Sequence, residues 1–347
     1  MDNRTRAATP SAYDRPVPDS VTTKPASAEL EARLELHRTE LTAYCYRMLG
    51  SAFEAEDAVQ ETLLRAWRSY DSFEGRAALR SWLYRIATNV CLDMLSGRER
   101  RAMPMDLGPA RDPDGPIGGI LSEATWIGPM PDTLVVPDDG DPAEVAVARE
   151  TIRLAFVAAL QHLPPRQRAV LILCEVLRWK ASEVAELLET SVASVNSALQ
   201  RARSTLEAAG ASDTDATVSL DEADQELLAR YVEAFERYDM ETLTSLIHED
   251  ATQSMPPYEL WLSGRDDILR WWLGPGSGCR GSRVIPTVAA NGAPAFGQYR
   301  PRASGNGHDP WALQVLEVED GRIVGFTFFL DTASVFPLFG LPLALDA

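Results

Sequence analysis

The segment that most constrains this chain is residues 163–206, whose pattern predicts two short helices followed by a longer third. Along the third helix apolar residues recur on one face, at Val192, Val195, Leu199, Ala202 and Leu206. Ser191 follows a tight turn at residues 189–191 and stands where its side chain can cap that helix. The preceding helix has its own apolar stripe, formed by Val184, Leu187 and Leu188. Two helices packed across so short a turn have helix-turn-helix spacing.

The other face of the third helix is polar from its cap onward. It carries short hydroxyl and amide groups near its start and arginines further along: Ser191, Ser194, Asn196, Ser197, Gln200, Arg201 and Arg203. Such hydroxyl and amide groups can reach base edges or phosphates, and arginines neutralise phosphate charge. An ordinary helical hairpin with a solvated polar face would show the same pattern, so this segment alone leaves both interpretations open.

The net charge of -18 at first argues against DNA, because affinity for duplexes comes largely from phosphate neutralisation. The charge is unevenly distributed along the chain. Residues 102–150 hold ten acids and two bases, and residues 222–347 hold eighteen acids and nine bases. Residues 65–101, by contrast, hold eight arginines against four acids. The acidic excess therefore lies outside the segments that are candidates for DNA binding.

The cysteines and the hydropathy exclude several classes of protein. Cys45, Cys91, Cys174 and Cys279 stand far apart without a C-x-x-C pair, so neither a metal site nor a disulfide framework is indicated. The sequence has no apolar run of eighteen residues and no apolar N-terminal h-region. We expect a soluble, cytoplasmic protein with no metal, no cofactor and no membrane partner.

A helical pattern runs from residue 30 to residue 96, and its second helix, residues 55–70, has two different faces. We expect one face to bury Val59, Thr62, Leu63, Ala66 and Trp67. The opposite face holds acids, an amide and arginines around Leu64. A lone exposed leucine needs no explanation, yet one ringed by polar groups also suits the centre of a protein-binding patch. The pattern is compatible with both interpretations of Leu64, an ordinary exposed side chain or the centre of a protein-binding patch.

A loop at residues 69–76 carries Ser72, Phe73 and Arg76, and it is followed by a predicted helix at residues 78–95. That helix presents Trp82, Arg85 and Asn89, and beyond it lie Arg98, Arg100 and Arg101. Aromatic side chains interleaved with arginines next to a loop are what unstacked single-stranded bases need. A solvated helix face is the alternative.

Two stretches of the chain, residues 56–95 and residues 163–206, resemble segments of one known family. Residues 56–95, beginning EDAVQETLLRAW, are similar to region 2 of the sigma-70 family RNA polymerase sigma factors of the extracytoplasmic-function (ECF) group. Residues 163–206 resemble region 4 of the same factors, and the two occur in the expected order. The resemblance implies a dissociable subunit of RNA polymerase that directs promoter-specific initiation and has no catalysis of its own.

The resemblance also implies roles for individual residues. Core polymerase binding falls on Asp57, Ala58, Val59, Gln60, Glu61 and Leu64. The loop at residues 69–76 matches the one that captures a flipped base. Contacts to the minus-ten element fall on Ser72, Phe73, Arg76, Trp82, Arg85, Asn89, Arg98, Arg100 and Arg101. Major-groove recognition of the minus-thirty-five element falls on Ser191, Ser194, Asn196, Ser197, Gln200, Arg201 and Arg203.

The remaining segments complete the first two domains. The proline-bearing residues 1–28 are predicted to be a disordered tail, and residues 29–101 form the region 2 module. Residues 102–141 are an acidic linker rich in proline and glycine, which we expect to be a tether between two mobile domains. The resemblance implies that it threads toward the polymerase active-site and RNA-exit channel. Residues 142–209 hold the helix-turn-helix block, and residues 210–219 are a second linker.

Residues 220–347 are predicted to form a third domain. Two helical stretches, residues 227–238 and 240–247, precede an alternating pattern around Asp320 and Gly321 that is typical of a hairpin. The layout resembles the SnoaL-like cone-shaped fold found at the C-terminus of some ECF sigma factors. The expected fold class is therefore multidomain, with two all-α domains, a region 2 helical bundle and a region 4 helix-turn-helix, followed by an α+β SnoaL-like domain.

That fold usually encloses a pocket, and aromatic residues are its candidate lining. We name Met255, Tyr258, Trp261 and Trp271 as possible ligand contacts, although aromatics at such spacing also form a core. His248, Asp250 and Asp266 are the available polar candidates, but no pair among them fixes a nucleophile or a general base. We expect no catalysis from this domain.

The third domain is instead expected to regulate the sigma factor in cis, by packing on the helical modules or by sensing a small molecule. Two alternatives remain open. One is a conventional helix-turn-helix regulator, which leaves residues 56–95 unexplained. The other is a ligand-binding or enzymatic SnoaL-like protein with a DNA-binding appendage.

Overall fold

The computed structural model describes residues 27–73, 78–137, 141–208 and 222–346. Within these ranges the chain forms two helical parts joined by an ordered linker, followed by a domain of helices and one sheet. Most of the tail expected at residues 1–28, and all of the second linker, residues 210–219, lie outside the described residues. No helix in the described ranges is long and apolar enough to cross a membrane.

The first helical part is a four-helix bundle that buries residues such as Tyr44 and Leu83. Its helices are α1 (Ser27–Glu35), α2 (Arg38–Leu49), α3 (Ala52–Ser69) and α4 (Leu79–Leu95). Helix α2 ends at Gly50, whose φ of 71° lets its N–H bond to the Tyr46 carbonyl. The Ser51 side chain then caps α3 by accepting a hydrogen bond from the Glu54 N–H.

The apolar face of α3 was predicted correctly except at its edge. Val59, Thr62, Leu63 and Ala66 are buried, but the Trp67 side chain is 51% exposed. Trp67 lies at the margin of the stripe, where the neighbouring helices do not cover it. Periodicity places a residue on a face, but it does not tell how far the packing partners extend.

The linker is ordered, so the expectation of a structureless tether is wrong for residues 102–137. It forms a short helix, α5 (Pro104–Leu107), and two 3₁₀ turns, Glu123–Thr125 and Asp132–Leu134. Trp126, Ile127 and Met130 are buried in the described structure. The prediction weighed the proline, glycine and acid content of this segment and gave too little weight to its few large apolar anchors.

The second helical part contains the predicted helix-turn-helix. Its helices are α6 (Pro142–Glu150), α7 (Leu154–Gln161), α8 (Pro165–Leu171, continued by a π-helical turn, Ile172–Val176), α9 (Ala181–Leu187) and α10 (Val192–Ala208). Glu189 turns the chain with a φ of 52°, and Ser191 Oγ caps α10 by accepting the Ser194 N–H at 3.1 Å. Val195 and Ala202 are buried as predicted, whereas Val192 is exposed.

The C-terminal domain has helices packed against a six-stranded sheet. The helices are α11 (Glu222–Arg237), α12 (Met240–Leu246), α13 (Arg265–Leu273) and α14 (Thr332–Leu338). The strands are β1 (Ile247–Ser254), β2 (Trp261–Ser263), β3 (Arg283–Pro286), β4 (Ala295–Pro301), β5 (His308–Glu319) and β6 (Arg322–Phe329). Their order is β2-β1-β6-β5-β4-β3, antiparallel except for the β1–β6 pair.

The hairpin predicted at Asp320 and Gly321 is confirmed. It joins β5 to β6, and the two residues have φ values of 48° and 69°. Positive φ at both central positions gives the turn a twist that matches that of the flanking strands.

The two faces of the sheet belong to two different hydrophobic cores. One face packs on helices α11 to α13 and includes Ala312 and Leu316. Alternate residues on the other face, including Leu313 and Val315, join a second core that also contains α14, the linker and both helical parts. The C-terminal domain therefore shares a core with the rest of the described chain.

Candidate nucleic-acid interface

Helix α10 presents its polar face to solvent. Seven candidate residues are exposed there: Ser191, Ser194, Asn196, Ser197, Gln200, Arg201 and Arg203. Arg203 is paired with Glu175, which precedes the helix-turn-helix. Arg201 has no ion-pair partner within the described ranges, so its guanidinium is available to a phosphate or a base edge. The burial of Val195 and Ala202 beneath this face holds it outward.

A cluster of three aromatic rings lies between the end of α3 and the start of α4. The Phe73 and Trp82 ring centroids are 4.9 Å apart, and those of Tyr70 and Phe73 are 5.9 Å apart. Trp82 and Arg85 are half-buried, and Asn89 is exposed on the same helix. Sequence reasoning did not include Tyr70 in this group. The Ser72 side chain and all of Arg76 lie outside the described residues.

The arginines after α4 are held by partners inside the chain. Arg98 pairs with Glu54 at 2.5 Å, and Arg100 contacts the His162 ring of the second helical part. Arg101 is buried, and it donates to the carbonyls of Glu123 and Trp126 at 2.7 and 2.6 Å. Arg101 is therefore corrected from a minus-ten candidate to a residue that fastens the linker, because its guanidinium is enclosed.

The candidate polymerase-binding residues of α3 fall into an exposed group and a buried group. Asp57 and Gln60 are exposed, Glu61 is half-buried and the Leu64 side chain is 40% exposed. Ala58 and Val59 are fully buried, so their side chains cannot touch a partner and only support the helix from beneath. Exposed Trp67 stands one turn from Leu64 and enlarges the apolar patch. The sequence could have indicated Trp67 as a contact residue, because tryptophan is enriched at protein interfaces.

The two helical parts are in direct contact with each other. The Tyr84 and Trp179 ring centroids lie 5.2 Å apart. The Arg80 guanidinium stands 5.1 Å from the first ring and 5.5 Å from the second, and it pairs with Glu40 at 2.7 Å. This stack joins α4 to the segment just before α9, so the helix-turn-helix is docked on the bundle.

Two buried arginines cross the same interface. Arg47 on α2 donates to the Thr151 carbonyl and hydroxyl at 3.0 and 2.7 Å. Arg168 on α8 reaches back to the Met48 carbonyl and to Gln161. Burial lowers the pKa of each guanidinium to about 10. Neither has a carboxylate partner among the described residues, so both cations are held by neutral oxygens alone.

One turn of the C-terminal domain inserts between these parts. Asn291, in the β3–β4 connection, is buried with a φ of 55°. Its side-chain amide donates to the Tyr46 hydroxyl at 2.6 Å and to the Ile152 carbonyl at 2.7 Å, and it accepts the Met130 N–H at 2.9 Å. A single side chain thus bonds to the first helical part, the linker and the second helical part.

Gly292 completes this turn and cannot be replaced without strain. Its φ is 73°, and a Cβ atom there would lie 2.9 Å from the Arg149 carbonyl oxygen. Its N–H donates to Asp132 of the linker at 2.8 Å. Burial raises the pKa of that carboxyl, while the Gly292 bond and Arg149 act in the opposite direction.

The C-terminal domain has an open cavity of about 240 Å³, to which the linker contributes Ile117. Two of the ligand candidates, Met255 and Trp271, line it, together with Gln253, Gln298 and Arg300. Of the other two ligand candidates, Tyr258 faces a different cavity, and Trp261 donates its indole N–H to the Gly108 carbonyl at 2.9 Å.

The polar candidates for catalysis are not brought together at this cavity. His248, Asp250 and Asp266 are absent from its described lining. Its polar groups are Gln253, bonded to the Trp272 indole, Gln298, bonded to Gln314, and Arg300, which donates to Cys279. Within the described ranges no group of three or more histidine, cysteine or acidic residues is placed to hold a metal ion.

Comparisons with known proteins match all three parts of the chain. Residues 34–101 match the Sigma-70 region 2 family, residues 153–206 match Sigma-70 region 4, and residues 228–326 match the SnoaL-like domain. The ECF RNA polymerase sigma factor SigG of Mycobacterium tuberculosis is 47% identical over 318 residues. That alignment covers 90% of this chain and 84% of the relative.

A second relative agrees in sequence and in fold. The ECF RNA polymerase sigma factor SigJ of Mycobacterium tuberculosis is 28% identical over 84% of this chain and 88% of its own length. The crystal structure of SigJ superposes with a TM-score of 0.57, at 24% identity, covering 92% of this chain and 100% of that one. The fold, two helical parts followed by a domain of helices and one sheet, is therefore shared.

Proposed function

The chain belongs to the ECF RNA polymerase sigma factors, and we propose that its SnoaL-like domain regulates it in cis by holding the two DNA-binding parts closed. As a sigma factor it binds core RNA polymerase and directs initiation at promoters. We place its action in the cytoplasm, beside the polymerase. The expected fold class, two all-α sigma regions followed by a SnoaL-like domain, is confirmed.

We assign the contact surfaces of this sigma factor from exposure. The polar face of α10, with Arg201 free of ion pairs, is proposed for the minus-thirty-five element. The Tyr70, Phe73 and Trp82 cluster is proposed for a flipped minus-ten base, because unpaired bases stack on aromatic side chains. Leu64 and Trp67 on α3 are proposed as the apolar centre of the polymerase contact.

In the closed arrangement the region 2 bundle and the region 4 block are in contact, so they lie too close together to bind both promoter elements at once. Elements centred near minus ten and minus thirty-five lie about 25 base pairs apart, or about 85 Å along the duplex at 3.4 Å per base pair. In the described structure the region 2 bundle and the region 4 block touch through Arg80, Tyr84 and Trp179. Simultaneous contact with both elements therefore requires that the two parts separate.

The observation that carries the proposal is the triple contact of Asn291. Its buried side chain bonds to Tyr46 in region 2, to Met130 in the linker and to Ile152 before region 4. These groups can stay together only while the closed arrangement persists. Loss of the turn would leave two buried acceptors and a donor unsatisfied, which is costly for a closed interface.

The interface is also built so that it can open. Arg47 and Arg168 are buried across it without a counter-ion in the described part of the chain. Removing a guanidinium from water costs free energy that neutral oxygens only partly return. The closed state therefore depends on the additional bonds of the C-terminal domain, and competition from polymerase and DNA can displace it.

We propose that the C-terminal domain regulates without catalysing a reaction. Its cavity is lined mainly by aromatic and amide groups, together with Cys279 and Arg300, which are bonded to each other. The Trp272 indole bonds to Gln253, and Gln298 bonds to Gln314. The described lining holds no histidine, aspartate or glutamate that could act as a base. Amides of this kind orient a ligand but do not transfer protons near neutral pH.

The test is run-off transcription by core RNA polymerase with the full chain and its Asn291→Gly variant. Glycine keeps the positive φ of the turn and removes the side chain. Each lost hydrogen bond is worth about 0.5 to 1.5 kcal/mol, so we expect the variant to raise transcript yield at limiting sigma concentration by several-fold. Asn306→Gly, in an exposed loop of the same domain, is the matched control.

Equal yields from the wild type and the Asn291→Gly variant, with both chains folded by circular dichroism, would contradict cis regulation through this turn. A lower yield would show that the domain assists initiation instead. Dependence of any transcript on the added chain tests the sigma function separately.

A further inference from the structure

A second cavity, of about 510 Å³, lies where region 2, the linker and the C-terminal domain meet. Its walls come from the start of α3 at residues 51–53, from linker residues 120–129, and from residues 256–258 and 329–335 of the C-terminal domain. It adjoins the smaller cavity of the SnoaL-like domain, and Trp311 lines both. No single part of the chain forms it alone, so it exists only while region 2, the linker and the C-terminal domain stay docked on one another.

The cavity has the size and the lining of a small-molecule site. Such sites measure about 300 to 1,000 Å³ and are mostly apolar, with few polar groups. Here aromatic walls are supplied by Phe53, Trp126, Tyr258 and Trp311. Phe53 is 40% exposed and Ile120 is 67% exposed, so large apolar groups face solvent at the opening.

The charges around the cavity favour a cation. Arg101 is the basic residue of the described lining, and its guanidinium is already bound to Glu54 and to two linker carbonyls. Glu123 and Asp331 also line the cavity, and both are exposed. Neither carboxylate has an ion-pair partner in the described part of the chain. An entering anion would meet two carboxylates and no free cation.

We propose that this cavity binds a compact polycyclic aromatic molecule carrying one positive charge, and that occupancy holds the sigma factor closed. The aromatic walls would receive its rings, a geometry that also stabilises cations, while Glu123 and Asp331 face its charge. A ligand that binds only one of two states shifts the equilibrium toward that state. The ligand is therefore an inhibitor of initiation, and this second half of the inference rests on the proposed cis regulation.

The first experiment measures binding to the full chain without polymerase or DNA. Berberine, a fluorescent polycyclic cation, is compared with the neutral dye Nile red and the anionic dye 1-anilinonaphthalene-8-sulfonate. We expect saturable binding of berberine at one site. The Glu123→Gln and Asp331→Asn double variant should weaken it about fivefold and leave Nile red affinity unchanged.

A second pair of variants locates the site. Ile120→Arg places a long cation at the opening and should abolish berberine binding. Leu343→Arg, at another exposed apolar position outside this lining, should bind berberine like the wild type. Absence of saturable berberine binding, preference for the anionic dye, or equal binding by the Ile120→Arg and Leu343→Arg variants would each overturn the site.

The Asn291→Gly variant separates the two proposals. If cis regulation and the site both hold, berberine binds this variant more weakly and inhibits run-off transcription by the wild type. If berberine binds both chains equally although the variant transcribes more than the wild type, the site stands and its coupling to closure is wrong. If the variant transcribes like the wild type, cis regulation through this turn is wrong whether or not berberine binds. If the variant transcribes more but no berberine binds, the site is wrong and cis regulation stands.

Discussion

At the scale of single residues, Asn291 connects the C-terminal domain to the sigma regions. Its left-handed backbone is tolerated by asparagine better than by most residues. The Asn291-Gly292 dipeptide is a turn signal that can be recognised in the sequence alone. Its partners, Tyr46 and Ile152, lie 245 and 139 positions away along the chain. Turn chemistry is local and could be predicted, whereas the choice of partners depends on the assembled molecule.

The Tyr46–Asn291 bond should be measurable by a double-mutant cycle. We expect Tyr46→Phe and Asn291→Gly together to cost less than the sum of the single variants, with an interaction free energy of about 1 kcal/mol. Urea denaturation of the four chains measures it. Tyr46→Phe combined with Asn306→Gly should be additive. Additivity in the Asn291 cycle as well would show that the two side chains do not interact in solution.

At the scale of elements, the helix-turn-helix was the most predictable part of the chain. The periodicity of the apolar residues predicted helix α10, and the position of Ser191 predicted its cap. The helix and the cap are both confirmed. The linker was the least predictable. Its Pro- and Gly-rich composition suggested a tether, but Trp126, Ile127 and Met130 anchor it because two other parts of the chain supply the surface that buries them. The composition of a segment indicates how much apolar surface it can bury by itself. It does not indicate how much more it can bury against neighbouring parts of the chain.

Arg201 on α10 tests the proposed recognition face. We expect Arg201→Ala to weaken holoenzyme binding to a promoter by on the order of 1 to 3 kcal/mol and to relax preference at one minus-thirty-five position, if it contacts a base. A uniform loss with a smaller salt slope would make it a phosphate contact. Fluorescence anisotropy on matched and mismatched promoters measures both. Arg230→Ala, at an exposed position of α11, is the control, and equal affinities for the two variants would remove Arg201 from the interface.

At the scale of the whole molecule, the sequence indicated three domains in order but not their assembly. The C-terminal sheet uses both of its faces, one for its own core and one for a core shared with the sigma regions. Alternation along β5 is compatible with either a solvated or a buried second face, since a buried face requires a partner that local pattern does not specify. The inter-domain contacts of this sigma factor are therefore a property of the folded chain.

The most direct test of the closed arrangement is the distance between α1 and α10, measured by single-molecule energy transfer between labels at Glu31 and Ser204, both exposed. We predict one short distance in the free wild type, a second and longer population in free Asn291→Gly, and only the longer distance in the complex with polymerase and promoter. A free wild type that already shows the promoter-bound distance would contradict the account.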